Sequence, residues 1–308
     1  MKIQTGVVLL PLLWLGPTSE RPEDVSAETF QHAPALWGNE GHRIIAQVAA
    51  AHLPAEMPAF FRAAAEQLAY LNPEPDRWRE GRRREMNEAF RYDHYIDLEN
   101  VPAAALAARD RWEYLEALYA AGVQDPHEAA GFLPFHIIEL CQRVTSGFVR
   151  WRAADDPQIR SWIEDRIVND AGILGHFVAD AANPHHTTIH FNGWDEARAP
   201  NPGGFATDDD FHARFESDFV DAHVTRGAVD TRITTAALVL PNVRAATWSL
   251  VRDSHSRVMH LYELERDLGF DPSGEPDTAT LEFALARLAM GGTFLRDLWW
   301  SAWIQSAP

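Results

Sequence analysis

The sequence predicts an all-α fold, on three observations. Apolar residues recur at helical spacing along most of the chain, strand-like alternation is scarce, and neither an internal repeat nor a clear linker divides it. At 308 residues, 46% hydrophobic and 11% aromatic, the chain has enough apolar side chain for a sizeable core. One multi-helix domain from Trp37 to Pro308 is expected.

Residues 1–36 read differently. Lys2 precedes an apolar run from Val7 to Leu15 that fits an export-signal core and is too short to span a bilayer. Gly16 to Phe30 is polar, with Pro17, Pro22 and several acids, and Ala33-Pro34-Ala35 has a small-x-small cleavage pattern. This segment is expected to be a signal peptide and processed leader. The mature chain is then secreted or periplasmic, with no transmembrane segment.

Within the domain, Gly41–Leu53 puts Ile44, Ile45, Val48 and Ala49 on one stripe of an amphipathic helix. Pro58–Tyr70 reads as a second helix, and Asn72–Asn100, with Pro73, Pro75 and Arg82-Arg83-Arg84, as mostly loop. Val101–Ala121, Pro134–Trp151 and Pro157–Ala182 read as helices. A Gly-, Pro-, Asn- and Asp-rich loop follows from Thr187 to Asp210. Phe211–His223, Thr234–Leu268 and Thr278–Trp303 complete the set. Trp299, Trp300 and Trp303 fall at helical spacing, which points to core packing of the last helix.

The chemistry concentrates between His176 and His186. His176 and Asp180 lie one helical turn apart and share a face. Pro184 ends the helix near Asn183, so His186 approaches from another direction. Two ligands on a rigid helix and one beyond its end can grip a metal ion, or share two. His212 and Glu216 repeat the one-turn spacing. The single cysteine, Cys141, excludes an internal disulfide and a cysteine-based zinc site, leaving His, Asp, Glu and the main chain as donors. The candidates are His42, Asp76, His94, His176, Asp180, His186, His212 and Glu216. Asp97 competes with His94 and His185 with His186, while His190 and Asp195 are better read as loop residues. A net charge of −18 disfavours electrostatic capture of duplex DNA or an anionic membrane. It leaves a nucleic-acid substrate open, because bound dications make a site locally positive.

Trp37-Gly38-Asn39-Glu40-Gly41-His42 resembles the opening of the fungal single-strand-specific nucleases (the S-one/P-one type). The stretch His176–His186, followed by Phe211-His212-Ala213-Arg214-Phe215-Glu216, is more similar to the bacterial zinc-dependent phospholipases C. Both groups belong to one superfamily of all-α phosphodiesterases that enclose three zinc ions, and the resemblance runs from Trp37 to about Asp221. It implies that Trp37, as the mature N-terminal residue, binds one zinc through its amine and carbonyl. His42 joins that ion, and Asp180 bridges it to a second zinc completed by Asp76, His94 and His176. His186, His212 and Glu216 hold the third. Asp76 and Asp180 are expected to carry the catalytic role. A Trp37 amine requires cleavage after Leu36, whereas the small-x-small pattern cuts after Ala35.

The expected function is hydrolysis of a phosphodiester by a zinc-activated hydroxide. The substrate is a single-stranded nucleic acid (endonuclease or 3′-nucleotidase type) or a phospholipid head group, and no stable protein partner is implied. Ala179 and Asn183-Pro184-His185 depart from the nuclease pattern. Arg77 and Arg91 stand where choline-selective phospholipases carry aromatics, which argues against phosphatidylcholine and for an anionic group. A non-enzymatic metal-binding or interaction protein that keeps the fold is the alternative.

Overall fold

The computed structural model describes residues 38–79 and 82–308. The leader over residues 1–36 and Trp37 lie outside the described residues. Among the described residues the secondary structure is helical, with no strand and one isolated bridge, Phe191–Gly193.

Seven helices frame the site: α1 (Asn39–Ala51), α2 (Ala65–Leu71), α3 (Leu133–Ala153), α4 (Pro157–Ala182), α5 (Val243–Ser256), α6 (Val258–Asp267) and α7 (Thr278–Gln305). Helix α4 is central and packs against α1, α2, α3, α5 and α7. Its start is set by Asp156, whose carboxylate accepts from the Gln158 and Ile159 N–H groups, with Pro157 in the first turn. From Ala171 to Ala182 every residue is buried, so this half of α4 is a core element rather than an amphipathic one. His176 and Asp180 therefore project into the interior.

The expected stripe of α1 is buried as read. The last tryptophans also pack inward. Trp299 is fully buried against Phe61, and Trp303 meets Phe148 and Trp151.

Four elements differ from expectation. The helix over Pro58–Tyr70 breaks at Ala64 into Ala59–Ala63 and α2, which lets Phe61 face Phe148 and Trp299 while Leu68 and Ala69 are buried separately. The stretch Asn72–Asn100 is not mostly loop. It holds short helices at Glu74–Arg77 and Arg84–Phe90 and a 3₁₀ turn at Arg91–His94, with Pro73 at the cap and Pro75 in the first turn of the first of these, where the missing N–H costs nothing. The helix expected from Val101 begins only at Arg111, because Asp110 caps it by accepting from Trp112 and Glu113. Residues 234–242 are not helical. They run beside α7, with Arg296 donating to the Thr235 carbonyl, Leu238 N–H to Asp297 and Leu240 N–H to Ser301 Oγ. Asn242 then caps α5.

Candidate metal centre

Five segments far apart in sequence converge on the buried end of α4. His42 comes from α1, Asp76 from the short helix after α2, and His94 from the 3₁₀ turn at Arg91–His94. Past α4, Pro184–Thr187 forms a 3₁₀ turn that carries His186. The helix from Phe211 to His223 widens into a π-turn over Arg214–Phe219, which contains Glu216. Such wide turns recur at functional sites. The Gly38 N–H donates to the Glu216 carbonyl at 3.2 Å, so the start of α1 is tied to this turn.

The eight candidate side chains form three groups that could hold metal ions: His42, His176 and Asp180; Asp76, His94 and His176; and His186, His212 and Glu216. The third group matches the expected set. The second holds three of its four expected members, and in the first His176 stands beside His42 and Asp180, Trp37 lying outside the described residues. His185 belongs to no group. Its ring packs among Phe211, Phe215 and Tyr262. Asp97 belongs to none either, and its Oδ2 lies 4.0 Å from Arg198 Nη1.

Asp180 joins the groups. Its Oδ2 lies 3.1 Å from His94 Nδ1 and 3.4 Å from His176 Nε2, while its Oδ1 lies 3.7 Å from His42 Nε2 and 3.8 Å from His186 Nε2. Asp76 faces the same histidines from the other side, with its Oδ1 3.7 Å from His176 Nε2 and 3.9 Å from His94 Nδ1. His212 Nε2 is 2.9 Å from Glu216 Oε2, and His186 Nε2 is 3.6 Å from it. Two donors on a tetrahedral zinc, each about 2.0–2.1 Å from the ion, stand roughly 3.3 Å apart. The observed spacings bracket that value.

The donors are also left with atoms to spare. His42 Nε2, Asp76 Oδ1, Asp180 Oδ1 and His186 Nε2 are buried without a hydrogen-bond partner. Buried polar atoms are ordinarily satisfied, so a cluster of orphans facing one point fits a cation. For His186 the proton position is fixed. Its Nδ1–H donates to the His94 carbonyl at 2.6 Å, which leaves the Nε2 lone pair toward Asp180 and Glu216.

Electrostatics point the same way. Burial lowers His42 and His212 to about 3 and takes His94 and His176 well below the usual imidazole range. Burial raises Asp76 to about 8 and pushes Asp180 well up, with Asp76 and Glu216 adding repulsion at Asp180. Without a cation the imidazoles are neutral donors and the carboxyls hold their protons. A bound dication inverts the second preference.

Several supporting residues escaped the sequence reading. Asn183 Nδ2 donates to Glu216 Oε2 at 2.9 Å, tying the end of α4 to the π-turn. Asn72 lies behind His42, with Oδ1 3.0 Å from His42 Nδ1. Arg79 stands 4.0 Å from Asp76 Oδ1, and its Nε has no hydrogen-bond partner. In front of the donors opens a cavity of about 300 Å³, with His94, His186 and His212 at its base. Arg79, Arg91 and Arg198 line it, as do Tyr92, Tyr95, Phe191, Asp97 and Glu128, with Arg91 paired to Glu88 and Glu128 and Arg198 to Asp195. Arg77, expected at this rim with Arg91, instead pairs with Glu74 at 2.5 Å and lies over the Tyr70 ring. His190 and Asp195 belong to the loop, as read: the Asp195 N–H donates to His190 Nδ1, and His190 stacks on Trp194 at 3.8 Å.

Among the described residues no helix is long and apolar enough to cross a membrane. No protein-family model matches the chain, and no curated protein matches it.

Proposed function

We propose that this chain is a zinc-dependent phosphodiester hydrolase of the phospholipase C/single-strand nuclease superfamily, acting on single-stranded nucleic acid. The observation that carries the reading is Asp180, which presents one oxygen to His94 and His176 and the other to His42 and His186. A carboxylate shared in this way is the usual bridge between two cations. His42 and Asp180 would hold one ion, with the Trp37 amine as the expected further ligand. Asp76, His94, His176 and Asp180 would hold a second, and His186, His212 and Glu216 a third. Held there, zinc would supply Lewis acidity toward the phosphoryl oxygens and a lowered pKa to water.

The chain's own residues do the rest. Neutral imidazoles and the two aspartates fix the donor array, and Asn183 holds Glu216 in place. Arg79 stands beside Asp76 at the cavity wall, where its guanidinium reaches a phosphoryl oxygen bound against the donors. Farther out, Arg91 and Arg198 offer positive charge, and Tyr95 and the exposed Phe191 offer ring faces. Arginines with aromatic platforms are the combination that single-stranded nucleic acid uses. That wall disfavours a choline head group. The proposal includes an exported chain whose mature end is Trp37.

The test is zinc content by mass spectrometry together with hydrolysis of single-stranded DNA, RNA and several phospholipids. About three zinc ions and turnover of the nucleic acids are expected. Zinc without turnover of any phosphoester sinks the hydrolase and leaves a metal-binding protein. Fewer than two zinc ions sinks the metal reading. Preferential turnover of phospholipid would reassign the substrate. Sequencing the mature amino terminus decides the Trp37 ligand.

A further inference from the structure

We propose that Asn72 is a positioning residue for the metal centre. Its side-chain oxygen takes the Nδ1 proton of His42 and leaves the Nε2 lone pair facing Asp180 and Asp76. The inference rests on the metal reading above.

Asn72 follows α2 directly, its N–H still bonded to the Leu68 carbonyl at 3.1 Å, and Pro73 stops the helix behind it. It is fully buried, and its amide turns inward to His42 at 3.0 Å. The space it occupies is made by α4. A Cβ at Gly175 would stand 2.3 Å from Asn72 Nδ2, and one at Gly172 would stand 2.5 Å from the Leu71 Cβ. Each interior helix glycine costs roughly 0.5–1 kcal/mol relative to alanine. Their shared effect is a notch that seats Leu71 and Asn72 against α4, one residue before His176.

The His42 ring is already fixed in plane, since it stacks on His176 at 4.1 Å and 10° with both rings fully buried. What remains open is which nitrogen carries the proton. A neutral imidazole has one N–H, and an amide oxygen only accepts, so the Asn72 contact puts the proton on Nδ1. Nε2 then points a lone pair at Asp180 Oδ1, 3.7 Å away, and at Asp76 Oδ2, 3.9 Å away. With Nε2 protonated, His42 could not bind a cation from that side. A neutral amide performs this task without adding a carboxylate to a cluster that already holds three, Asp76, Asp180 and Glu216.

Nuclear magnetic resonance of the zinc-free full chain, carrying ¹⁵N-labelled histidine, reads the tautomer. The Nδ1–H form of His42 is expected in the wild type and in Asn72→Asp, which keeps the acceptor. Asn72→Leu should move the proton toward Nε2. Zinc affinity, read by competition with a chromophoric chelator, should fall about 10–100-fold at one site in Asn72→Leu, and not in Asn72→Asp. Gly175→Ala, which presses on the amide without removing it, should shift both readouts the same way and serves if the leucine variant fails to fold. An Nε2–H tautomer in the wild type overturns the proposal, as does an Asn72→Leu chain with unchanged tautomer and zinc affinity. A wild type with the Nδ1–H tautomer but no zinc uptake overturns the metal reading instead, and reduces Asn72 to a structural partner of His42.

Discussion

His94 Nδ1 and Asp180 Oδ2 stand 3.1 Å apart although 86 residues separate them in the chain. The other oxygen of Asp180 faces His42 and His186. Among the described residues no other side chain faces so many of the donor histidines, so Asp180→Asn is the most damaging isosteric change among them. An amide cannot share two anionic lone pairs between cations. Two zinc ions should be lost, and hydrolysis of single-stranded DNA should fall at least about 10³-fold. Mass spectrometry and turnover read this directly. A variant that keeps its zinc and its rate removes the bridging role.

Glu216→Gln should act locally. Glu216 meets His212 at 2.9 Å and His186 at 3.6 Å, and belongs to neither donor group that holds an aspartate. One zinc should be lost while the other sites stay filled. Asn183→Ala, which removes a hydrogen bond to the same carboxylate, should weaken that site about tenfold without emptying the others. Loss of all zinc from Glu216→Gln would show that the groups fill together rather than separately.

Packing of the frame is tested by two glycines with opposite surroundings. A Cβ at Gly292 in α7 would stand 2.5 Å from Val48 Cγ2 on α1, whereas nothing lies within 4 Å of one at Gly227. Gly292→Ala gains helix propensity of about 0.5–1 kcal/mol but overpacks the α1–α7 contact by about 1–3 kcal/mol. Net destabilisation of up to about 2.5 kcal/mol follows. Gly227→Ala, in the exposed turn Arg226–Asp230, should be neutral or slightly stabilising. Urea unfolding of both variants provides the comparison.

The difference between these glycines could not be read in the sequence, and the same holds for much of the site's support. Helix α4 was legible to its ends, because Asp156-Pro157 and Asn183-Pro184 are local punctuation marks that act wherever the chain goes. Of the eight candidate donors, His176 with Asp180 and His212 with Glu216 were legible from one-turn spacing and the other four from motif resemblance, and the structure brings all eight into three groups. Asn72, Asn183 and Arg79 carry no such signature, since what they do depends on which distant segment returns beside them. The paired Gly172 and Gly175 were the one visible hint, being costly in a helix interior unless something packs there. The helix misplaced at Val101 was a local error. The Asp110 cap, with Glu113 three residues on, marked the true start.

Charge at the cavity rim should govern substrate choice. Arg91 and Arg198 line the cavity outside the donors, and Arg79 lies deeper beside Asp76. Arg91→Gln and Arg198→Gln should each raise KM for a short single-stranded DNA about tenfold, as loss of one charge-assisted contact does, with kcat held. Their effect on bis(p-nitrophenyl) phosphate, which has no flanking anion, should be small. Arg79→Gln should lower kcat on both. Equal effects of the rim variants on the two substrates would mean that the arginines support the fold rather than the ligand.

Acid should unfold the chelated protein well before it unfolds the zinc-loaded one. Six buried histidines, His42, His94, His176, His185, His186 and His212, are held below the usual imidazole value, chiefly by burial. For these groups the unfolded chain binds more protons than the folded one below pH 6.5. Their neutral burial is fully tolerated above that pH, and the stability it permits is lost as pH falls toward about 3. Asp76, raised to about 8, and Asp180 act in the opposite sense, favouring the folded state at low pH and losing that contribution as pH rises through the raised value. Burial likewise raises Asp93 and, to about 7, Asp97, so the six histidines outnumber four raised carboxyls, at about 1.4 kcal/mol per pH unit for each unmatched proton. Melting temperature in chelator should therefore peak near about pH 6.5–7 and drop steeply toward pH 4.5, with a shallower decline above the maximum as the raised carboxyls ionise. Zinc, which binds the neutral imidazoles and the ionised carboxylates, should remove the alkaline decline and delay the acid one until the metal is released. A chelated protein with a flat profile across this range would mean that the six histidines are not held neutral in the core.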